Sequence, residues 1–77
     1  MAEPTSGLAH YRQRKQLSQA QFARAIGVPQ EYVSRMETGD MVPRAAVLDK
    51  MCEVLEVQPQ LLFSKHILAE VAERARA

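Results

Sequence analysis

An all-α fold is predicted by three features of this 77-residue chain. Apolar residues recur three and four apart, no stretch alternates strictly as a half-buried strand would, and Ser, Gly and Pro punctuate the pattern. The expected architecture is one compact bundle of five helices with a C-terminal helical tail, because so short a chain has room for a single small domain.

Residues 1–6 are polar, carry Pro4 and read as a flexible arm. Leu8 and Tyr11 stand three apart with Arg12, Arg14 and Lys15 around them, which predicts a first helix over about 7–15 with a thin apolar stripe. Gln16 and Leu17 form a link. Ser18 is a good N-cap and Gln21 follows three residues on, the spacing of a capping box. Phe22, Ala23 and Ile26 give a second short helix its buried face, and Gly27 ends it. A third helix is expected to begin at or near Pro29, to bury Val33 and Met36 with Val28 just before it, and to close at Gly39.

Residues 40–43 read as a loop. The fourth helix runs from about Arg44 to Leu55, with Val47, Leu48, Met51 and Leu55 at helical spacing. Val57 and Pro59 punctuate, and Leu61, Leu62 and Phe63 form a short fifth helix. Beyond Ser64, a plausible cap, Ile67, Leu68, Val71, Ala72 and Ala75 give the tail an amphipathic face. The predicted division is an arm at 1–6, a domain at 7–63 and a helical extension at 64–77.

Composition narrows the function. Hydrophobic residues at 47% and charged ones at 25% describe a folded domain rather than a disordered tail. Cys52 is the only cysteine, which excludes an internal disulfide and a Cys-rich zinc site. Apolar runs of three or four residues fall far short of the roughly 20 that span a bilayer, and the N-terminus lacks the pattern of a secretory signal. His10 and His66 lie near opposite ends and no acid–base pair has motif support, so no enzyme, cofactor or metal site is expected. The expected location is therefore cytoplasmic. The net charge of +1 hides an asymmetry: residues 10–44 carry six basic side chains against three acidic ones. A basic front half suits an anionic partner.

Segment 18–36 holds the motif. A short helix, a glycine turn and a second short helix, with small Ala23 at the close approach and Ile26, Val28 and Val33 filling the wedge, is what a helix-turn-helix needs. A plain αα-corner would use the same residues. Leu17-Ser18-Gln19, Ala23, Gly27-Val28, Val33-Ser34, Glu37, Gly39, Pro43 and Leu48 together resemble the lambda-repressor-like Cro/C1 (xenobiotic-response-element) family of helix-turn-helix DNA-binding domains. The resemblance runs from about Leu8 to Phe63 and leaves out the tail.

The resemblance implies a sequence-specific transcriptional regulator, of a kind found in bacteria, phages, plasmids and other mobile elements, at the nucleoid. Gln30 matches the base-reading glutamine at the head of the recognition helix, suited to adenine, and Ser34 and Arg35 occupy further outward positions. Arg35 suits guanine; Glu31 suits cytosine N4, although Glu31 and Arg35 are equally spaced as an ordinary helix ion pair. Gln19 matches a phosphate-contacting glutamine that braces the recognition helix, and Tyr32, Thr38 and Arg44 resemble phosphate neighbours, with Arg14 and Lys15 as weaker ones. Arg12 and Glu37 match an internal ion pair. Pro29 and Asp40 depart from the pattern: one removes an N–H donor, the other places a negative charge where a basic residue is common.

One recognition helix reads too few base pairs to mark a site, so a homodimer on an inverted-repeat operator is expected, through Leu61, Leu62, Ile67, Leu68 and Val71. The tail could instead fold back on its own core. The alternative function is an antitoxin-like or adaptor module whose tail binds a protein partner, with DNA binding secondary.

Overall fold

Hydrogen bonding at the helix ends divides the chain of the computed structural model, which describes residues 7–76, into six helices. They are α1 (Leu8–Arg14), α2 (Gln19–Ile26), α3 (Gln30–Thr38), α4 (Ala45–Leu55), α5 (Pro59–Leu62) and α6 (Lys65–Arg76). There is no strand among the described residues. The expected arm over 1–6 lies outside them.

The ends of α2 show how local chemistry sets the boundaries. Ser18 Oγ accepts the Gln21 N–H at 3.0 Å while the Ser18 N–H donates to Gln21 Oε1 at 2.8 Å, so both halves of the capping box form. Gly27 ends the helix in the left-handed region at φ 79°, and its N–H reaches the Ala23 carbonyl at 2.9 Å. A Cβ there would meet nothing within 4 Å, so backbone conformation, not space, requires the glycine.

Prolines mark two helix starts, Pro29 at the place the sequence pattern gives and Pro59 ahead of it. Pro29 is the N-cap of α3, at φ −63° and ψ 149°, and the helix begins one residue later at Gln30. Its fixed φ suits an extended cap residue as well as a first helical one. Pro59 opens α5 rather than merely separating it from α4, since a first-turn residue needs no N–H partner. The fourth helix ends at Glu56 in the left-handed region (φ 58°), where the sequence supplies no glycine.

The α2–α3 wedge is filled by Ile26 and Val33, both buried, with Val28 half-buried beside them. Phe22, Leu8, Met36, Met51 and Leu62 complete the centre of a single apolar cluster. Gly7 closes one edge: its N–H donates to the Leu62 carbonyl at 2.9 Å, and a Cβ on it would stand 2.3 Å from the Leu61 carbonyl oxygen.

The sixth helix packs on α4 and α5 and inserts Val71 into the cluster, where it is 4% exposed. Ser64 helps start it, with Oγ accepting the Ile67 N–H at 3.4 Å. This corrects part of the expected dimer surface. Leu62, at 0% exposure, and Val71 are spent on the protomer's own core and have nothing left to offer a second copy. Leu61 is 47% exposed, and Ile67 and Leu68 are half-buried.

Leu62→Ala should cost about 2–5 kcal/mol of unfolding free energy, as cavity formation in a packed core does. Gly27→Ala should cost about 1–2 kcal/mol through left-handed backbone strain alone. Urea denaturation checks both. A cost under about 1 kcal/mol for Leu62→Ala would place that side chain outside the core.

Candidate nucleic-acid interface

Val33 and Met36 anchor α3 to the core from one side, which turns the opposite edge outward. Gln30, Glu31, Arg35 and Thr38 are exposed on that edge, and Ser34 is half-buried. Tyr32 is 41% exposed. The structure thus gathers the expected base-reading residues along one edge of a nine-residue helix, a rod about 13 Å long at 1.5 Å per residue.

What fixes this rod is a nearly dry ion pair. Arg12 Nε donates to Glu37 Oε2 at 2.5 Å and Nη2 to Oε1 at 3.3 Å, with only 10% and 9% of the two side chains exposed. Arg12 Nη1 also donates to the Leu17 carbonyl at 2.7 Å. Glu37 Oε1 accepts a further bond from Gln19 Nε2 at 2.9 Å. One guanidinium and one carboxylate therefore tie α1, the α1–α2 link, the start of α2 and the last turn of α3.

Gln19 is engaged as a brace, which leaves one amide proton for any phosphate. Thr38 Oγ1 donates back to the Arg35 carbonyl at 3.1 Å. Arg35 pairs with Glu31 one turn earlier, Nη2 to Oε2 at 3.0 Å. Arg14 ends α1 and Arg44 caps α4, and both are exposed. Lys15 is placed differently from expectation: its Nζ meets Glu56 Oε2 at 2.5 Å, at the C-terminal end of α4. That hydrogen bond first, and the lysine's charge second, hold the Glu56 carboxyl below its ordinary range.

Arg44 also lines a cleft of about 680 Å³ with Tyr32 and Met36 of α3, Val42 of the loop and Arg74 of α6. Sequence reasoning missed Arg74, which is paired to Glu70 at 2.6 Å. Only the packing of α6 brings it beside Arg44, and no local pattern announces that. Cys52 is half-buried, and burial with the Asp49 charge raises its thiol pKa, the opposite of a reactive cysteine. Among the described residues, no group of three or more His, Cys, Asp or Glu is placed to hold a metal, and no helix is long and apolar enough to cross a membrane.

A tilted pair of short helices around a glycine turn, the second offering a polar edge, defines a helix-turn-helix. The chain belongs to the helix-turn-helix domain family, whose pattern matches residues 7–62. By that membership it is a DNA-binding domain. Among solved structures, it is similar in fold to the clp gene regulator ClgR from Corynebacterium glutamicum. The TM-score is 0.65 at 23% identity, covering 91% of this chain and 69% of that one. No curated protein matches the chain. The sixth helix lies beyond the family match.

Removing one partner of the buried pair strands the other charge, so Arg12→Ala should cost about 3–5 kcal/mol in urea denaturation. A loss under about 1 kcal/mol would mean that the pair is solvated like a surface one. Glu56 supplies a pH dependence. Because its folded pKa is depressed, its stabilisation is complete above the ordinary carboxylate value of about 4.3. It is lost as pH falls through the lower folded value. Glu56→Gln should flatten the fall of the urea midpoint in that acid range by slightly lowering the neutral-pH midpoint and leaving the low-pH one unchanged; an unaltered acid slope contradicts the Lys15–Glu56 link.

Proposed function

We propose that the protein is a transcriptional regulator of the Cro/C1 type, which binds an inverted-repeat operator as a homodimer with α3 in the major groove. The observation that carries this reading is the exposed polar edge of α3, held outward by the Arg12–Glu37 pair. A groove about 12 Å wide admits such a helix. Gln30 pairs with adenine N6 and N7, Arg35 with guanine O6 and N7, and Ser34 faces a neighbouring base edge, while Glu31 keeps its pair with Arg35. Arg14, Arg44, Tyr32 and Thr38, with Gln19, meet the phosphates and set the register. That a neighbour in fold is a gene regulator supports the same reading.

Leu61, Ile67 and Leu68 are the apolar side chains left for a second copy. The burial of Val71 in the protomer's own core speaks against a tail reserved for a protein partner.

Selection of bound duplexes from a random pool should return an inverted repeat. Gln30→Ala and Arg35→Ala should each relax preference at defined positions, at about 1–3 kcal/mol per base contact. Arg44→Ala should weaken binding to all sequences and lower the salt slope by about one. Uniform weakening by Gln30→Ala and Arg35→Ala would reduce both to backbone contacts and overturn base reading by α3.

A further inference from the structure

The outward edge of α3 carries no net charge. Of its three charged residues, Glu37 is turned onto Arg12, and the remaining two, Glu31 and Arg35, are paired with each other at 3.0 Å. This pair is 67% and 58% exposed, and an exposed pair one turn apart stabilises a helix by only about 0.2–0.5 kcal/mol. Its consequence for stability is therefore slight. Its consequence for Arg35 is larger, because the group that would bind any DNA phosphate is already compensated by a carboxylate on the same edge.

A guanidinium has five N–H donors in a rigid plane. Bonded to Glu31 through Nη2, Arg35 keeps enough donors to bind guanine O6 and N7 without releasing the carboxylate. A non-cognate duplex offers it only phosphates or mismatched base edges. A phosphate lies to the side of the groove floor that this edge faces, so Arg35 would have to swing off Glu31 to reach one, and the bare carboxylate would then face a polyanion. We propose that Glu31 is a specificity-determining residue that denies Arg35 to non-cognate DNA, lowering affinity for wrong sequences more than for the right one. This is discrimination by a built-in repulsion. It rests on the reading of α3 as the base-reading helix.

The test uses the full chain, the duplex recovered by selection and a scrambled duplex of the same composition, titrated across a range of salt concentrations. Glu31→Gln should tighten binding to the scrambled duplex roughly 5–10-fold at moderate salt and steepen its salt slope by about 0.9, the signature of one further phosphate engaged. Affinity for the selected duplex should change much less, so discrimination shrinks. In an Arg35→Ala background Glu31 has lost its partner on either duplex, so the same substitution should tighten both alike and leave discrimination unchanged. Glu73→Gln, an equal change of charge on α6, should not reproduce it.

With Arg35 present, equal tightening on both duplexes, or in its absence a selective gain on the scrambled duplex, would overturn the proposal in favour of general electrostatics. Weakening confined to the selected duplex would overturn it in favour of direct cytosine reading by Glu31. Each of these outcomes leaves α3 as the reading helix intact, provided that Arg35→Ala alone lowers discrimination. An unsubstituted protein that does not discriminate between the duplexes overturns both.

Discussion

One guanidinium holds α3, the helix proposed to read DNA, in place. Arg12 is the only charged residue in the buried set among the described residues, and it is there because Glu37 and the Leu17 carbonyl receive its donors. A buried ion pair is weak as a source of net stability, since desolvation offsets most of the attraction. It is strong as a constraint on geometry. Any tilt of α3 that separated Arg12 from Glu37 would leave two charges in a poorly solvated place, so the helix keeps one orientation. No buried side-chain polar atom is left without a partner among the described residues, which is the condition for such a network to hold.

The rest of the molecule divides its work around that constraint. The α2–α3 wedge sets the crossing of the two helices with apolar contacts, while the ion pair fixes which edge of α3 faces out. The core is small, and α6 adds Val71 to it although the family pattern ends at residue 62. A chain of this size has little stability to spare. The tail therefore belongs to the fold as well as to any surface it presents, and it carries Arg74 to the cleft beside Arg44.

Much of this was legible in the residues. Ser18, Gln21, Gly27 and Gly39 act through bonds between neighbours in sequence, so their spacing alone announces the ends of α2 and α3. The inward faces of α2, α3 and α4 follow from helical periodicity. Other features depend on partners far along the chain. Lys15 and Glu56 are 41 residues apart, and nothing near either one signals the pair. Leu61 and Leu62 look alike in sequence, yet one is exposed and the other wholly buried, because the docking of α5 against α1, α4 and α6 decides their sides. Val71 was readable as apolar; whether its apolar face meets its own core or a second chain is a tertiary question. The Arg12–Glu37 pair was legible only through a family resemblance, since twenty-five residues of sequence separate its halves.

The central claim is that α3, held outward by this pair, is the surface that meets DNA. Mapping backbone amide shifts of the protein by NMR during titration with its selected duplex tests it most directly. The largest changes should fall on residues 30–35, Thr38 and Arg44, in a continuous patch around α3. Changes concentrated on Leu61, Leu68 and the end of α6, with α3 undisturbed, would contradict it.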